Sequence, residues 1–204
     1  MIGTPHHHFE TIGSTNAHAR ELAERGAPHG TVVTSAEQTE GRGRQGRAWA
    51  TPAGKALAWS AIVPLEGEVP GLFPLRAGLA ACQAVEQLGG GAAEVKWPND
   101  VMVDGRKCAG VLVEGRPQDG WAVVGIGINL AIEQDEFPPE IRERATSGGS
   151  GATLETATEA PAVEAPWHPG QLLPPVALLA PHETPAAAEG SALMPLAAFS
   201  GKRR

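Results

Sequence analysis

The stretch EVKWPNDVMVDGRKCAGVLVE, residues 94–114, decides the fold. Glu94 to Trp97 reads as a short strand stopped at Pro98, because proline cannot donate to a sheet ladder. Val101-Met102-Val103 is a second strand. Asp104-Gly105 is a two-residue hairpin turn, and the chain returns from Cys108 to Glu114 as a third strand. A fourth, 121–130, follows and contains Gly125-Ile126-Gly127-Ile128-Asn129.

Upstream, Ser14 is a suitable N-cap for a helix over 15–25, since its hydroxyl accepts from free backbone N–H groups. Gly26 and Pro28 stop that helix. Thr31-Val32-Val33-Thr34 reads as a strand, and so does 57–63. Leu72, Leu75, Leu79, Cys82, Val85 and Leu88 recur at spacings of three and four. They predict one apolar helix face closed by Gly89. The order predicts an α+β domain: a mixed, largely antiparallel sheet with helices packed on one side.

Composition narrows the function. The 204 residues carry 16 basic and 23 acidic side chains, a formal charge of −7, which argues against coating nucleic acid. Hydrophobic residues make up 42%, enough for a core. No apolar run approaches the ~20 residues of a spanning helix, and residues 1–9 lack a signal peptide's apolar stretch. A cytoplasmic protein is expected. Cys82 and Cys108 lie in apolar surroundings without metal-ligand spacing and read as buried thiols. His6-His7-His8 is read as part of a flexible start, residues 1–8, and not as a metal site. Residues 147–151 form a Gly/Ser linker, and 153–160 could begin a helix. From 161 to 204 there are 8 prolines and 10 alanines without a period, so 148–204 is expected to be a linker and disordered tail.

Four motifs carry chemistry. Gly41-Arg42-Gly43-Arg44-Gln45-Gly46-Arg47-Ala48-Trp49 matches GxGxxG, but loop residues follow where a dinucleotide fingerprint must open a helix. Arg42, Arg44 and Arg47 on a glycine loop suit an anion, or else form a solvated basic loop. Lys96-Trp97-Pro98-Asn99-Asp100 puts an amide and a carboxylate side by side, for a ligand or for an Asx turn. Lys107, at the start of Lys107-Cys108-Ala109-Gly110, points into a pocket or snorkels to water. Gly125 and Gly127 suggest that something flat packs on their strand, with the Asn129 amide at its end.

In this order the motifs, with Ser14-Thr15-Asn16 and Gln38, resemble the catalytic domain of biotin–protein ligases over roughly residues 9–147. The resemblance implies a fold like the class II aminoacyl-tRNA synthetase core, shared with lipoate ligases. It implies ATP and biotin as substrates, with Mg2+ accompanying ATP, and no metal bound by the protein itself. Biotin would be activated to biotinyl-5'-AMP, then passed to a lysine of a biotin carboxyl carrier domain of an acyl-CoA carboxylase.

By the same resemblance, Arg42, Arg44, Lys107 and Asp100 are the catalytic candidates. Ser14, Thr15, Asn16, Gln38, Gly41, Arg42, Trp49 and Lys107 would meet biotin. Arg44, Arg47, Trp49, Asn99, Gly125, Gly127 and Asn129 would meet the nucleotide. Where the family carries a small SH3-like barrel this chain has its Ala/Pro tail, so the alternative is a biotin or biotinyl-AMP binder with impaired transfer. Without a winged helix-turn-helix ahead of Phe9, no sequence-specific DNA binding is expected. Membrane binding is not expected either, and a homodimer remains open.

Overall fold

The structure, a computed structural model, describes residues 2–65 and 70–149. The expected helix start at 153–160, the end of the linker and the Ala/Pro tail lie outside those residues. Seven strands form one sheet: β1 His6–Ile12, β2 Val32–Gln38, β3 Ala56–Pro64, β4 Ala93–Lys96, β5 Asp100–Val103, β6 Arg106–Arg116 and β7 Trp121–Asn129. Their order across the sheet is β1-β2-β3-β7-β6-β5-β4. Among the described strands, only β1 and β2 run parallel. The expected mixed, largely antiparallel α+β sheet is therefore what the chain builds.

Two helices cover this sheet, α1 Thr15–Glu24 and α2 Phe73–Gln87. They were expected on one side, yet each takes its own face. Ala19 and Ala23 of α1 pack with Val33, Ile62 and Val123. Phe73, Ala77, Ala80, Ala81 and Val85 of α2 pack with Val32, Ala61, Val63, Ala122 and Val124. Neighbouring strand residues point to opposite faces, so these two sets are the two sides of the same strands. In β3, eight residues from Ala56 to Val63 are all buried, as a centrally placed strand covered on both faces requires.

Local chemistry explains most element ends. Ser14 Oγ accepts from the Ala17 N–H at 3.4 Å and caps α1, and Gly26 follows with φ +85°. Asp104 and Gly105 both have positive φ, 50° and 72°, the requirement of a type I′ hairpin.

Two further expectations change. The stripe predicted for α2 is only half right: Cys82 and Val85 are buried and Leu88 packs against the core, but Leu72 and Leu79 are each 41% exposed, and Ala77, Ala80, Ala81 and Ala84 are fully buried in their place. Small residues let α2 sit close to the sheet, and a Cβ at Gly78 would lie 3.3 Å from Val95. The start of the chain is not a flexible lead-in. His6–Ile12 is the edge strand β1, with the His6 and His8 rings 2.7 and 2.9 Å from Thr34 Oγ1.

Both cysteines are free and buried, as expected. Burial, reinforced by Glu86 and Glu94, pushes the Cys82 thiol up to about 11. Burial, with Cys82 nearby, pushes Cys108 up to about 12. No described helix is long and apolar enough to cross a membrane.

Candidate active site

Small residues hollow out the α1 face of the sheet. Ser60 of β3, Gly110 of β6, and Gly125 and Gly127 of β7 replace the bulky residues that fill the opposite face. A cavity of about 820 Å³ opens there. Its walls come from the start of α1, the basic loop 42–50, the β4–β5 connection, the start of β6 and the segment after β7.

The glycine-arginine loop is a small hairpin folded onto this hollow. The Gly43 N–H donates to Arg47 O at 2.7 Å and the Trp49 N–H donates to Gly41 O at 2.9 Å. Gln45, at φ 58°, and Gly46, at φ 72°, turn the tip. A Cβ on Gly41 would come within 2.3 Å of Trp49 O, so glycine is needed where the two arms cross. Gly41 is buried there and, unlike the other expected site residues, is not on the cavity wall.

The indole of Trp49 lies against the sheet glycines. A Cβ on Gly127 would fall 2.4 Å from Trp49 Nε1, and one on Gly110 would be 3.2 Å from its ring. Of the two alternating glycines, Gly127 thus faces the Trp49 ring, while Gly125 faces the Asn16 amide. Trp49 Nε1 is buried without a hydrogen-bond partner. Lys107 Nζ sits 5.3 Å from the ring centroid, within cation–π reach.

Lys107 reaches the cavity through a β-bulge. Opposite Val101 and Met102 the register shifts, pairing Val101 with Ala109 and Met102 with Lys107. Cys108 is the extra residue, so Cys108 and Ala109 both enter the core while Lys107 and Gly110 both face the cavity. Lys107 Nζ pairs with Asp100 Oδ1 at 2.7 Å. Beside them, Arg44 donates to Asn99 Oδ1 at 3.1 Å, and Asn99 is pinned to Val111 through its own amide and backbone. This ties the basic loop to the KWPND segment across 55 residues of chain.

The opposite wall is neutral and polar. Gln38 Oε1 accepts from the Thr15 backbone N–H at 2.8 Å and lies 3.1 Å from the Thr15 hydroxyl. Asn16, 5% exposed, is engaged within the protein by Ser60 and Glu114. Asn129, also 5% exposed, donates to Thr146 O at 3.0 Å and anchors the segment after β7.

Charge on the wall is one-sided. Arg42, Arg44, Arg47, Lys96, Lys107 and Arg144 line the cavity, against Asp100 as the sole carboxylate among the described lining residues. Among the described residues no carboxylate pairs with Arg42, Arg44 or Arg47. Cations gathered without counter-charges suit a multiply charged anion. No group of three or more metal-ligating side chains occurs among the described residues.

Sequence reasoning missed Arg144, Ile132 and Phe137, which belong to a wall segment after β7 that carries no strand or helix periodicity. It also missed Ser60 and Glu114. A lone serine inside the apolar run 56–63 was the available signal for the first.

Residues 8–131 match the biotin/lipoate A/B protein ligase family. The chain belongs to that family. Biotin/lipoate ligase relatives include the bifunctional ligase/repressor BirA of Bacillus spizizenii, 38% identical over 145 residues, 68% of this chain and 44% of that one. The biotin–[acetyl-CoA-carboxylase] ligase of Mycobacterium tuberculosis is 37% identical over 136 residues, covering 63% of this chain and 50% of that one. Among solved structures, the biotin protein ligase from Aquifex aeolicus in complex with biotin and ATP superposes with a TM-score of 0.61 at 34% identity. That match covers 71% of this chain and 59% of the Aquifex one. The chain spans about half the length of the curated relatives it matches.

Proposed function

We propose that this member of the family activates biotin with ATP and transfers it to a lysine of a biotin carboxyl carrier domain. The observation that carries the reading is the cationic wall facing a polar, uncharged wall across one cavity. The Aquifex relative with biotin and ATP bound, and the mycobacterial relative named for acetyl-CoA carboxylase, support the choice of substrates and partner.

In the first step an oxygen of the biotin carboxylate attacks the α-phosphorus, the bond to the bridging oxygen breaks, and pyrophosphate leaves. Two anions approach each other, so charge must be compensated where it grows in the transition state. Arg42, Arg44 and Lys107 are the groups assigned to that task. Ser14, Thr15 and Gln38 would hold the ureido end, Trp49 would cover the reacting acid, and Asn99, Arg47 and Asn129 would meet the nucleotide. Mg2+ fits as a passenger on the triphosphate, because Asp100 is a single carboxylate already engaged by Lys107.

In the second step the carrier lysine attacks the acyl carbon of the anhydride, AMP leaves, and the nitrogen sheds a proton. At neutral pH roughly one lysine in a few thousand is uncharged, so a nearby acceptor matters. Asp100 is the assigned acceptor. ATP, a carboxylase carrier and two free thiols fit a cytosolic setting.

Incubating the full 204-residue chain with ATP, biotin and a carrier domain tests the proposal. Carrier biotinylation with release of pyrophosphate is expected. Biotin retained with no labelled carrier would replace the ligase reading with the binding alternative, and no biotin retention would end both.

A further inference from the structure

α2 carries an apolar ridge on its outer side. Leu72 at its start and Leu79 within it are each 41% exposed, and Leu75 between them is only partly buried. Spacings of three and four put all three on one line along the helix. Single exposed leucines are ordinary on a protein surface, but three along one line make a face that another segment can cover.

The chain itself returns to this helix. Gly149 forms an antiparallel bridge with Gly89, just past the end of α2. The approach is held tightly: the Gly148 N–H donates to Asn129 O at 2.7 Å, and a Cβ on Gly148 would lie 2.9 Å from Val85 of α2. A Cβ on Gly90 would come within 2.0 Å of Gly148 O, so the two segments meet backbone to backbone. The chain leaves α2 at Gly89, and an antiparallel partner runs the opposite way. At Gly149 the chain is therefore directed back toward the helix.

Reach selects the residues that follow. From Gln87, the end of α2, to Leu79 is about 12 Å at the rise of a helix. Five extended residues beyond Gly149 span about 16 Å, and the fifth is Leu154, the first large apolar residue after the exit. Ser150-Gly151-Ala152-Thr153 ahead of it are small enough to pass close to the helix end, and Pro161 closes the stretch.

We infer that residues 150–160 of this same chain cover the α2 ridge, with Leu154 seated on Leu79. The ridge is then an intramolecular docking surface, and the inference stands apart from what the cavity binds.

The test uses the full chain. Glutamyl endopeptidase acting on native protein should cut after Glu159 at least about tenfold more slowly than it cuts a free peptide of residues 150–204. Leu79→Asp and Leu154→Asp should each bring the rate close to that of the peptide. Leu154→Asp changes no residue of the sheet or of α2, so it carries the test if Leu79→Asp does not fold. In the double variant Leu79→Cys, Leu154→Cys, a short bis-maleimide at pH 7 should link the two positions within one chain. Leu79→Cys alone should give no internal link, because both native thiols are buried. Cleavage after Glu159 as fast as in the peptide, or unaffected by either aspartate, overturns the inference. So does a link between two chains in place of the internal one, which would assign the ridge to a second copy.

Discussion

Lys107 and Asp100 form an ion pair at 2.7 Å on the cavity wall, the lysine delivered there by the extra residue Cys108. Each is about one-third exposed, so the pair is reachable by solvent and by ligand alike. A phosphate arriving at Lys107 competes directly with Asp100. On the proposed function the two roles would be linked: Lys107 would move toward the phosphate in the first step, and Asp100 would be released to take a proton in the second.

For Lys107→Ala, biotin-dependent exchange of pyrophosphate into ATP should fall about 100-fold, the usual loss when a charge-stabilising donor is removed. Biotin affinity should change far less. Equal losses in exchange and in affinity, measured side by side, would assign Lys107 to binding alone.

Removing Asp100 separates the half-reactions in the other sense. Transfer to carrier from pre-formed biotinyl-AMP should drop about 100-fold in Asp100→Ala, in the range expected for a lost proton acceptor. Pyrophosphate exchange should hold up better, since Lys107 keeps its charge. Unchanged transfer would exclude Asp100 from the second step.

The glycines of β7 should differ in kind. Gly125→Ala places a methyl 1.9 Å from the Asn16 amide inside the buried network. It should lower stability by about 1–3 kcal/mol, read from the midpoint of urea unfolding. Gly127→Ala places its methyl 2.4 Å from the Trp49 indole, on a side chain carried by a loop. It should cost less stability and more ligand affinity.

The thiols give a pH prediction. Cys82 and Cys108 are raised to about 11 and about 12 from the ordinary 9.0, so the folded chain holds those protons more tightly than the unfolded one. Stability should be insensitive to these groups below pH 9 and decline as pH rises from 9 toward 11–12, where unfolded thiols ionise first. A thiol reagent at pH 8 should label neither cysteine until the protein is unfolded. Rapid labelling of native protein would contradict the burial described.

Legibility in the sequence followed physical type. The capped helix after Ser14, the Asp104-Gly105 hairpin and strands β3 and β7 depend on local turn chemistry and short-range pattern, and they were readable. β1 was not, because HHHFETI shows no clear apolar alternation and its place is set by pairing with β2. The α2 stripe was legible at Cys82, Val85 and Leu88 but not at Leu72 and Leu79, because close packing on a sheet selects alanines over leucines. The site motifs were legible as residue types. What convergence required, namely the bulge at Cys108 and the Asn16–Ser60–Glu114 chain, depends on register between distant strands and leaves only faint local traces.

The alternation along β7 also governs where this chain tolerates changes in length. Val124 and Gly125 are neighbours, yet one belongs to the oily interior under α2 and the other to the cavity wall. Inserting or deleting one residue within β3 or β7 would exchange those two populations and put side-chain bulk into the hollow. Length variation should be absorbed in the connections at 104–105 and 117–120, where a slip is not propagated into either face.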